Sequence, residues 1–150
     1  MILNPPDLLK SLQQKSLSET LSTKGANTRK KPVILLVEDS PPVRIQEKRL
    51  FEDAGYVVVT ANNGLEGYNT LQNGLFDAVV SDVEMPYLDG FSLVIKIRQH
   101  KEFKDLPIVL VTTLDTDADR QRGADAGANA YILKGRFNQE ALLETLETLI

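Results

Sequence analysis

The sequence predicts an α/β protein with a parallel sheet. From residue 32 onward, short apolar runs alternate five times with stretches of helical periodicity, which is typical of strands joined by crossover helices. Most of these runs are continuous rather than alternating, as expected for strands that helices cover on both faces. The predicted strands are residues 33–37, 57–60, 78–81, 108–111 and 130–133.

The first two helices follow from start and stop signals. Ser40 stands at a capping position with Pro41 in the first turn, and Gly55 marks the end of this helix. The second helix is predicted over residues 64–72. The buried face of the first helix is predicted to contain Val43, Leu50 and Ala54.

The remaining helices differ in how firmly they can be anchored. The third is predicted from about residue 87 to residue 99, and the last, which begins at Asn138, carries a leucine stripe suited to docking on a sheet. The fourth, residues 115–125, has capping-box spacing at Thr116 and Asp119 but almost no large apolar side chain. An ordinary exposed helix would have this composition, and so would an element that shifts between two positions.

Charge and composition exclude several classes of protein. Residues 1–31 carry six Lys or Arg against two Asp or Glu, whereas residues 32–150 carry eleven against nineteen. The acidic second part disfavours nucleic-acid binding, which depends on Lys and Arg neutralising phosphates. The absence of Cys excludes disulfides and thiolate metal sites. No apolar run is long enough for membrane insertion and no secretory signal is recognisable, so a cytoplasmic protein is expected.

Composition also divides the chain into three parts. Residues 13–31 are rich in Ser, Thr, Lys, Gln and Asn, with few apolar groups, and we interpret them as a flexible linker. Residues 32–150 would form the folded domain. Residues 1–12 contain the pattern of a short helix with Asn4 as its cap, but nothing evident for that helix to pack on.

Polar side chains follow four of the predicted strands at their carboxyl ends, where parallel α/β sheets gather ligands. Glu38 and Asp39 follow the first strand, Asp82 the third, Thr112 the fourth and Lys134 the fifth. Carboxylates brought together there repel one another, so a cation or a basic side chain must compensate them. The sequence therefore predicts an acidic site in which Lys134 supplies positive charge.

These motifs resemble the receiver domain of two-component response regulators. The resemblance rests on Val-Glu-Asp-Ser at 37–40, on the segment 82–90, on Val-Thr-Thr at 111–113 and on Tyr-Ile-Leu-Lys at 131–134. It covers the whole of the predicted folded domain. It implies a flavodoxin-like (βα)5 fold, a doubly wound sheet of five parallel strands in the order 2-1-3-4-5.

The resemblance also implies a chemistry for the site. Asp82 would be the phosphoacceptor, and Glu38 and Asp39 would hold Mg²⁺ together with the Asp82 carboxylate and the backbone carbonyl of Glu84. Lys134 would pair with the phosphoryl group. The phosphodonor would be a histidine kinase or a histidine phosphotransfer domain of a phosphorelay. The chain itself would be a phosphoacceptor with slow autodephosphorylation rather than an enzyme.

Thr112 and Tyr131 would form the switch of such a domain. The Thr112 hydroxyl would donate a hydrogen bond to the phosphoryl group and leave space into which Tyr131 turns. This movement would repack the face formed by the fourth helix, the fifth strand and the fifth helix. That face would be the surface for a downstream protein.

The sequence departs from the family pattern beside the predicted lysine. Gly135 follows Lys134 where the family usually has proline, so the resemblance does not carry over the loop geometry that aims the lysine in the family. Glu84 and Leu114 occupy the positions that tune phosphoryl lifetime in the family, and the sequence does not yield that lifetime.

A narrower resemblance concerns the parent protein. Residues 113–115 and 134–139 are similar to receivers at the C-terminus of chemotaxis-type hybrid histidine kinases, and residues 2–9 to the end of the coupling-protein-like domain that precedes them. Residues 1–12 are therefore interpreted as the remnant of such a domain. The chain would then be the C-terminal part of a hybrid kinase.

Three other functions compete with this interpretation. A nucleotide-binding enzyme is disfavoured because no Gly-rich phosphate loop follows the first strand. A HAD-like aspartyl-phosphate hydrolase would use Glu84 as general acid and would turn over small phosphate esters. A phosphorylation-independent interaction module is disfavoured because every expected site residue is present. The only histidine, His100, is expected to interact with the dipole at the end of the third helix.

Overall fold

The structure, a computed structural model, describes residues 30–135 and 138–150. Within these residues five parallel strands form one sheet in the order β2-β1-β3-β4-β5. The predicted flavodoxin-like fold and its strand order are confirmed. The strands are β1 (Val33–Val37), β2 (Val57–Ala61), β3 (Ala78–Ser81), β4 (Ile108–Thr112) and β5 (Ala130–Leu133). The predicted remnant and most of the predicted linker lie outside the described residues.

Helices cover both faces of the sheet. They are α1 (Pro41–Asp53), α2 (Gly64–Gln72), α3 (Gly90–Gln99), α4 (Asp117–Ala126) and α5 (Gln139–Leu149), with a 3₁₀ turn at Lys101–Phe103. The side chains of α1 and α5 share one buried cluster with alternate residues of the strands, and those of α2, α3 and α4 share the other. The doubly covered sheet explains why the central strands are apolar except for Ser81 and Thr112 at the carboxyl ends of β3 and β4.

The buried face of α1 differs from the predicted face. Phe51 is fully buried, whereas Ala54 is exposed at the C-cap, and Val43 and Leu50 are half-buried. Ala54 lies beyond the regular helix, which ends at Asp53, so it leaves the apolar stripe. Ser40 is the N-cap residue as predicted, but its side chain makes no capping hydrogen bond.

Helix α3 begins at Gly90 rather than near residue 87. Tyr87 has a φ of 72°, which a right-handed helix does not allow. Asp89 caps the helix instead, and its Oδ1 accepts a hydrogen bond from the Ser92 N–H at 2.9 Å. Only glycine fits at position 90, because a Cβ there would overlap the backbone oxygen of Asp82. The helix therefore starts directly against the loop that carries Asp82.

The C-terminal end of α3 is built around His100. Its Nδ1 accepts a hydrogen bond from the Glu102 N–H at 3.3 Å, and its ring stacks on Phe103 with the centroids 4.5 Å apart. His100 is the C-cap residue of α3. Its side chain is directed to the 3₁₀ turn that follows, which the prediction of a dipole contact did not include.

Helix α4 contributes little to the core. Its buried residues are Gly123 and Ala126, neither of which has a large side chain. The predicted cap is present, since Thr116 Oγ1 accepts a hydrogen bond from the Asp119 N–H at 3.0 Å. The helix is thus well started but weakly packed, and its movement between two positions stays a prediction.

Phe51→Ala should lower the free energy of unfolding by roughly 3–5 kcal/mol, because it leaves a cavity under α1. Ala54→Ser should change it by less than about 0.5 kcal/mol, since Ala54 is exposed. Urea denaturation followed by circular dichroism measures both values. A larger loss at Ala54 than at Phe51 would instead support the face predicted from sequence.

Candidate functional site

The sheet brings the predicted site residues to one edge. Glu38 and Asp39 follow β1, and Asp82 follows β3, its immediate neighbour in the sheet. The Asp82 N–H donates to the Val37 carbonyl at 3.0 Å, so the strand pairing continues to the point where these side chains diverge. One carboxylate oxygen from each of the three residues lies within 4.8 Å of the others.

Lys134 neutralises part of this acidic cluster. Its Nζ lies 2.9 Å from Glu38 Oε1 and 2.9 Å from Asp82 Oδ2. The Lys134 N–H donates to the Thr112 carbonyl at 2.8 Å, which fixes the backbone of the lysine at the end of β4. Burial lowers the pKa of Lys134, but its hydrogen bonds to Asp82 and Glu38 outweigh burial, and the pKa lies above its usual value. Lys134 therefore carries a positive charge at neutral pH.

Glu38 is the most deeply buried of the carboxylates, with 1% of its surface exposed. Its Oε2 accepts a hydrogen bond from the Ser40 N–H at 3.1 Å, and its backbone carbonyl accepts one from Arg44 at 2.8 Å. Burial raises the pKa of Glu38, and the negative charge of Asp82 adds to this, although Lys134 and Ser40 act in the opposite direction. A bound divalent cation would stabilise the ionised carboxylate of Glu38.

Asp82 is oriented through both of its oxygens. Oδ1 accepts a hydrogen bond from the Val83 N–H at 2.7 Å, and Oδ2 accepts one from Lys134. The residue is 7% exposed, so an incoming group can reach a carboxylate that is otherwise held in place. The backbone around it is crowded by Gly90, which allows little displacement.

The cluster has the composition of a hard-cation site. Its donors are all carboxylate oxygens, which suit Mg²⁺ rather than a soft metal, and their spacing lets one ion contact all three. Asp39 is exposed at the mouth of the cluster. Glu84 is exposed in the loop after β3, two residues beyond Asp82, and its backbone carbonyl remains a predicted ligand.

Thr112 and Tyr131 are connected through Leu114. Thr112 is fully buried at the end of β4, and its Oγ1 accepts a hydrogen bond from the Leu114 N–H at 3.2 Å. The Tyr131 hydroxyl donates to the Leu114 carbonyl at 2.8 Å. The ring of Tyr131 packs against Gly123 of α4. The predicted switch residues therefore contact the same loop and the weakly packed helix.

Glu47 is a site residue that the sequence reasoning missed. It lines a cavity of about 160 Å³ between α1, β5 and α5, and Lys134 lines the same cavity. Burial raises the pKa of Glu47 to about 7, and the charge of Glu38 contributes to the rise. The signal was available, because Glu47 stands between Val43 and Leu50 on the stripe that was predicted to be buried.

A five-stranded sheet in this order, with an acidic cluster and a lysine at the carboxyl edge, defines a signalling domain of the phosphoacceptor type. The family model for the response regulator receiver domain matches residues 34–147. The chain therefore belongs to the response regulator receiver family. Neither the hydrolase nor the phosphorylation-independent module is favoured by this match.

Known proteins resemble the chain over most of its length. It is 33% identical over 149 residues to the gliding motility regulatory protein of Myxococcus xanthus, covering 99% of this chain and 19% of that protein. It is 35% identical over 120 residues to the sensor histidine kinase CheAY of Helicobacter pylori, covering 79% and 15%. The chain thus spans less than a fifth of the length of these two relatives.

One of the similar solved structures contains a metal ion. The receiver domain of the sensor histidine kinase PA1611 from Pseudomonas aeruginosa PAO1 superposes with a TM-score of 0.73 and 28% identity, covering 79% of this chain and 97% of that one. That structure has a magnesium ion coordinated in its active-site cleft.

Among the described residues of the present chain, no helix has the length and apolar character needed to cross a bilayer.

Glu47→Gln should flatten the pH dependence of stability. A carboxyl whose pKa is raised on folding stabilises the native state below its ordinary pKa of 4.5, and this contribution is lost as pH rises through about 7. The free energy of unfolding of the variant, relative to that of the wild type, should therefore rise as pH increases. The rise should reach about 1–3 kcal/mol at pH 8. Thermal and urea denaturation between pH 4 and 8 measure the difference.

The matched control is Glu144→Gln, on the exposed side of α5. It should keep the pH profile of the wild type. Parallel profiles for the wild type and Glu47→Gln would show that the Glu47 carboxyl has no raised pKa.

Proposed function

We propose that Asp82 accepts a phosphoryl group from a phosphohistidine of a histidine kinase or phosphotransfer domain. The observation that carries this proposal is the bridge from Lys134 to both Glu38 and Asp82 in a cluster of carboxylates. Asp82 is preferred over Glu38 as the acceptor because 7% of Asp82 is exposed against 1% of Glu38. The reaction forms a bond between an Asp82 oxygen and phosphorus and breaks the bond from phosphorus to the imidazole nitrogen.

The metal ligands proposed for this reaction are the carboxylates of Glu38, Asp39 and Asp82 and the backbone carbonyl of Glu84. Bound Mg²⁺ would offset the charge of the carboxylates and of the phosphoryl oxygens. The protein then supplies position: the Val83 N–H holds one oxygen of Asp82 at 2.7 Å. Lys134 already lies against Asp82 and can follow the added negative charge.

The switch proposed for Thr112 and Tyr131 is supported by their hydrogen bonds. If the Thr112 hydroxyl turns towards a phosphoryl oxygen, it gives up its bond with the Leu114 N–H. The loop that also holds the Tyr131 hydroxyl is then released. A downstream protein would contact the resulting face of α4, β5 and α5. The weak packing of α4 keeps the cost of this rearrangement low.

The parent protein proposed for this receiver is a chemotaxis-type hybrid histidine kinase. Two observations support it. The similarity to the Myxococcus protein spans 149 residues, and so extends beyond the receiver match at residues 34–147. The relative from Helicobacter is itself a sensor histidine kinase. Residues 1–12 would then derive from the preceding coupling-protein-like domain and residues 13–31 from a linker.

Incubation with Mg²⁺ and acetyl phosphate should add one phosphoryl group to the wild-type chain and none to Asp82→Asn. Intact-mass spectrometry measures the labelled fraction. Asp53→Asn is the matched control, because Asp53 is an exposed carboxylate at the end of α1, and it should label as the wild type does. Equal labelling of Asp82→Asn would remove Asp82 from its proposed role, and catalytic turnover of small phosphate esters would favour the hydrolase.

Lys134→Ala should separate metal binding from phosphoryl transfer. Removing the ammonium should raise Mg²⁺ affinity about tenfold, since a charge at this distance contributes on the order of 1–4 kcal/mol. The same change should slow labelling by roughly 100-fold, because the transferring phosphoryl group loses its cationic partner.

The comparison for Lys134→Ala is Lys48→Ala, which removes an exposed ammonium that pairs with Glu52 at 2.7 Å. It should alter neither quantity. Calorimetric titration with Mg²⁺ and the rate of mass labelling provide the two readouts. A fall in Mg²⁺ affinity in Lys134→Ala would contradict the proposed charge balance.

A further inference from the structure

Asn138 occupies the N-cap position of α5 but does not cap the helix. Asparagine at this position normally accepts a hydrogen bond from an N–H of the first turn, which stabilises the helix. The Asn138 side chain makes no such bond, and its φ of −104° and ψ of 3° differ from the extended backbone of a usual cap. Its amide is directed elsewhere.

The amide of Asn138 turns back to the end of β5. Its Nδ2 donates to the Leu133 carbonyl at 2.8 Å, and its backbone N–H donates to the Gly135 carbonyl at 2.9 Å. The partner of the side chain is a carbonyl oxygen, so the amide nitrogen must face it. The two hydrogen bonds therefore hold the carbonyl groups of the residues immediately before and after Lys134.

Among the described residues, the remaining backbone hydrogen bond at Lys134 lies on its β4 side. The Lys134 N–H donates to the Thr112 carbonyl at 2.8 Å. Gly135 has a φ of 150°, a conformation that glycine adopts readily and that the ring of proline forbids. A proline ring therefore cannot restrain residue 135, and the backbone hydrogen bond from Asn138 to the Gly135 carbonyl restrains the carboxyl side of Lys134.

We propose that Asn138 is a positioning residue for phosphoryl transfer, which clamps the backbone on both sides of Lys134 so that its ammonium is aimed at Asp82. The proposal rests on the proposed role of Lys134 in that reaction. During the reaction the lysine side chain must move from the carboxylates to the phosphoryl group while its backbone stays in place. A clamp that contacts only backbone carbonyls leaves the side chain free to make this movement.

The test compares two variants of Asn138. Serine is too short to reach the Leu133 carbonyl and alanine has no side-chain donor, so both variants lose the bond to Leu133 and keep the backbone bond to Gly135. Both Asn138→Ser and Asn138→Ala should slow Mg²⁺-dependent labelling by acetyl phosphate by roughly 10- to 100-fold, because small displacements of a positioned group have effects of that size. Since residue 138 does not cap α5, the two variants should have the same stability in urea denaturation, and neither should label at the wild-type rate.

A double-mutant cycle distinguishes positioning from general stabilisation. In a Lys134→Ala background, Asn138→Ser should change the labelling rate by less than about twofold, because the group that it positions is already absent. Asn73→Ser is the matched control: the Asn73 amide also donates to a backbone carbonyl, that of Asn69 at 2.7 Å, but at the end of α2. It should label at the wild-type rate.

Amide hydrogen exchange at Lys134 gives a readout that is independent of phosphorylation. Loss of the clamp should accelerate exchange of the Lys134 N–H roughly tenfold or more, since the bond to Thr112 then opens more readily. The proposal is overturned if serine restores the wild-type rate, if the effects of Asn138→Ser and Lys134→Ala add, or if exchange at Lys134 is unchanged. Absence of labelling in the wild type would instead remove the proposed function, and exchange would still decide whether the clamp exists.

Discussion

The contact of Lys134 with Glu38 and Asp82 is the interaction on which the rest of the site depends. Three carboxylates meet at the ends of two neighbouring strands, and two of them are buried. Such a cluster would be costly without a cation at hydrogen-bond distance. Lys134 follows β5, at the edge of the sheet. Its side chain extends past the end of β4 and contacts the acids that follow β3 and β1. The strand order is thus what permits compensation.

The same edge of the sheet connects the site to the weakest helix of the domain. The Thr112 carbonyl accepts a hydrogen bond from the Lys134 N–H, and the Thr112 hydroxyl accepts one from the Leu114 N–H. The Leu114 carbonyl in turn accepts a hydrogen bond from the Tyr131 hydroxyl. Tyr131 packs on Gly123 of α4, a helix without large buried side chains. In the proposed switch, phosphorylation of Asp82 would therefore act on a surface with few large buried side chains.

The sequence predicted what depends on local pattern and failed where distant parts of the chain meet. Strands, helices and the strand-end residues Glu38, Asp39, Asp82, Thr112 and Lys134 follow from periodicity and capping signals. The predicted start of α3, near residue 87, was wrong. The helix begins at Gly90, which lies against the backbone of Asp82, a contact outside the helix. The inner face of α1 was wrong at Ala54 because the helix ends one residue earlier.

The sequence by itself determined the fold class, the strand order through the family resemblance, and which candidate site residues follow the strands. Tertiary structure decided how those residues are aimed and which others assist them. The pKa of the Glu47 carboxyl is raised because burial between α1 and α5 and the nearby charge of Glu38 outweigh the opposite effect of Lys134. Asn138 can be read from sequence as a helix cap, but its amide bonds the strand end. Both effects arise from burial and proximity between segments far apart in the chain, which local pattern does not encode.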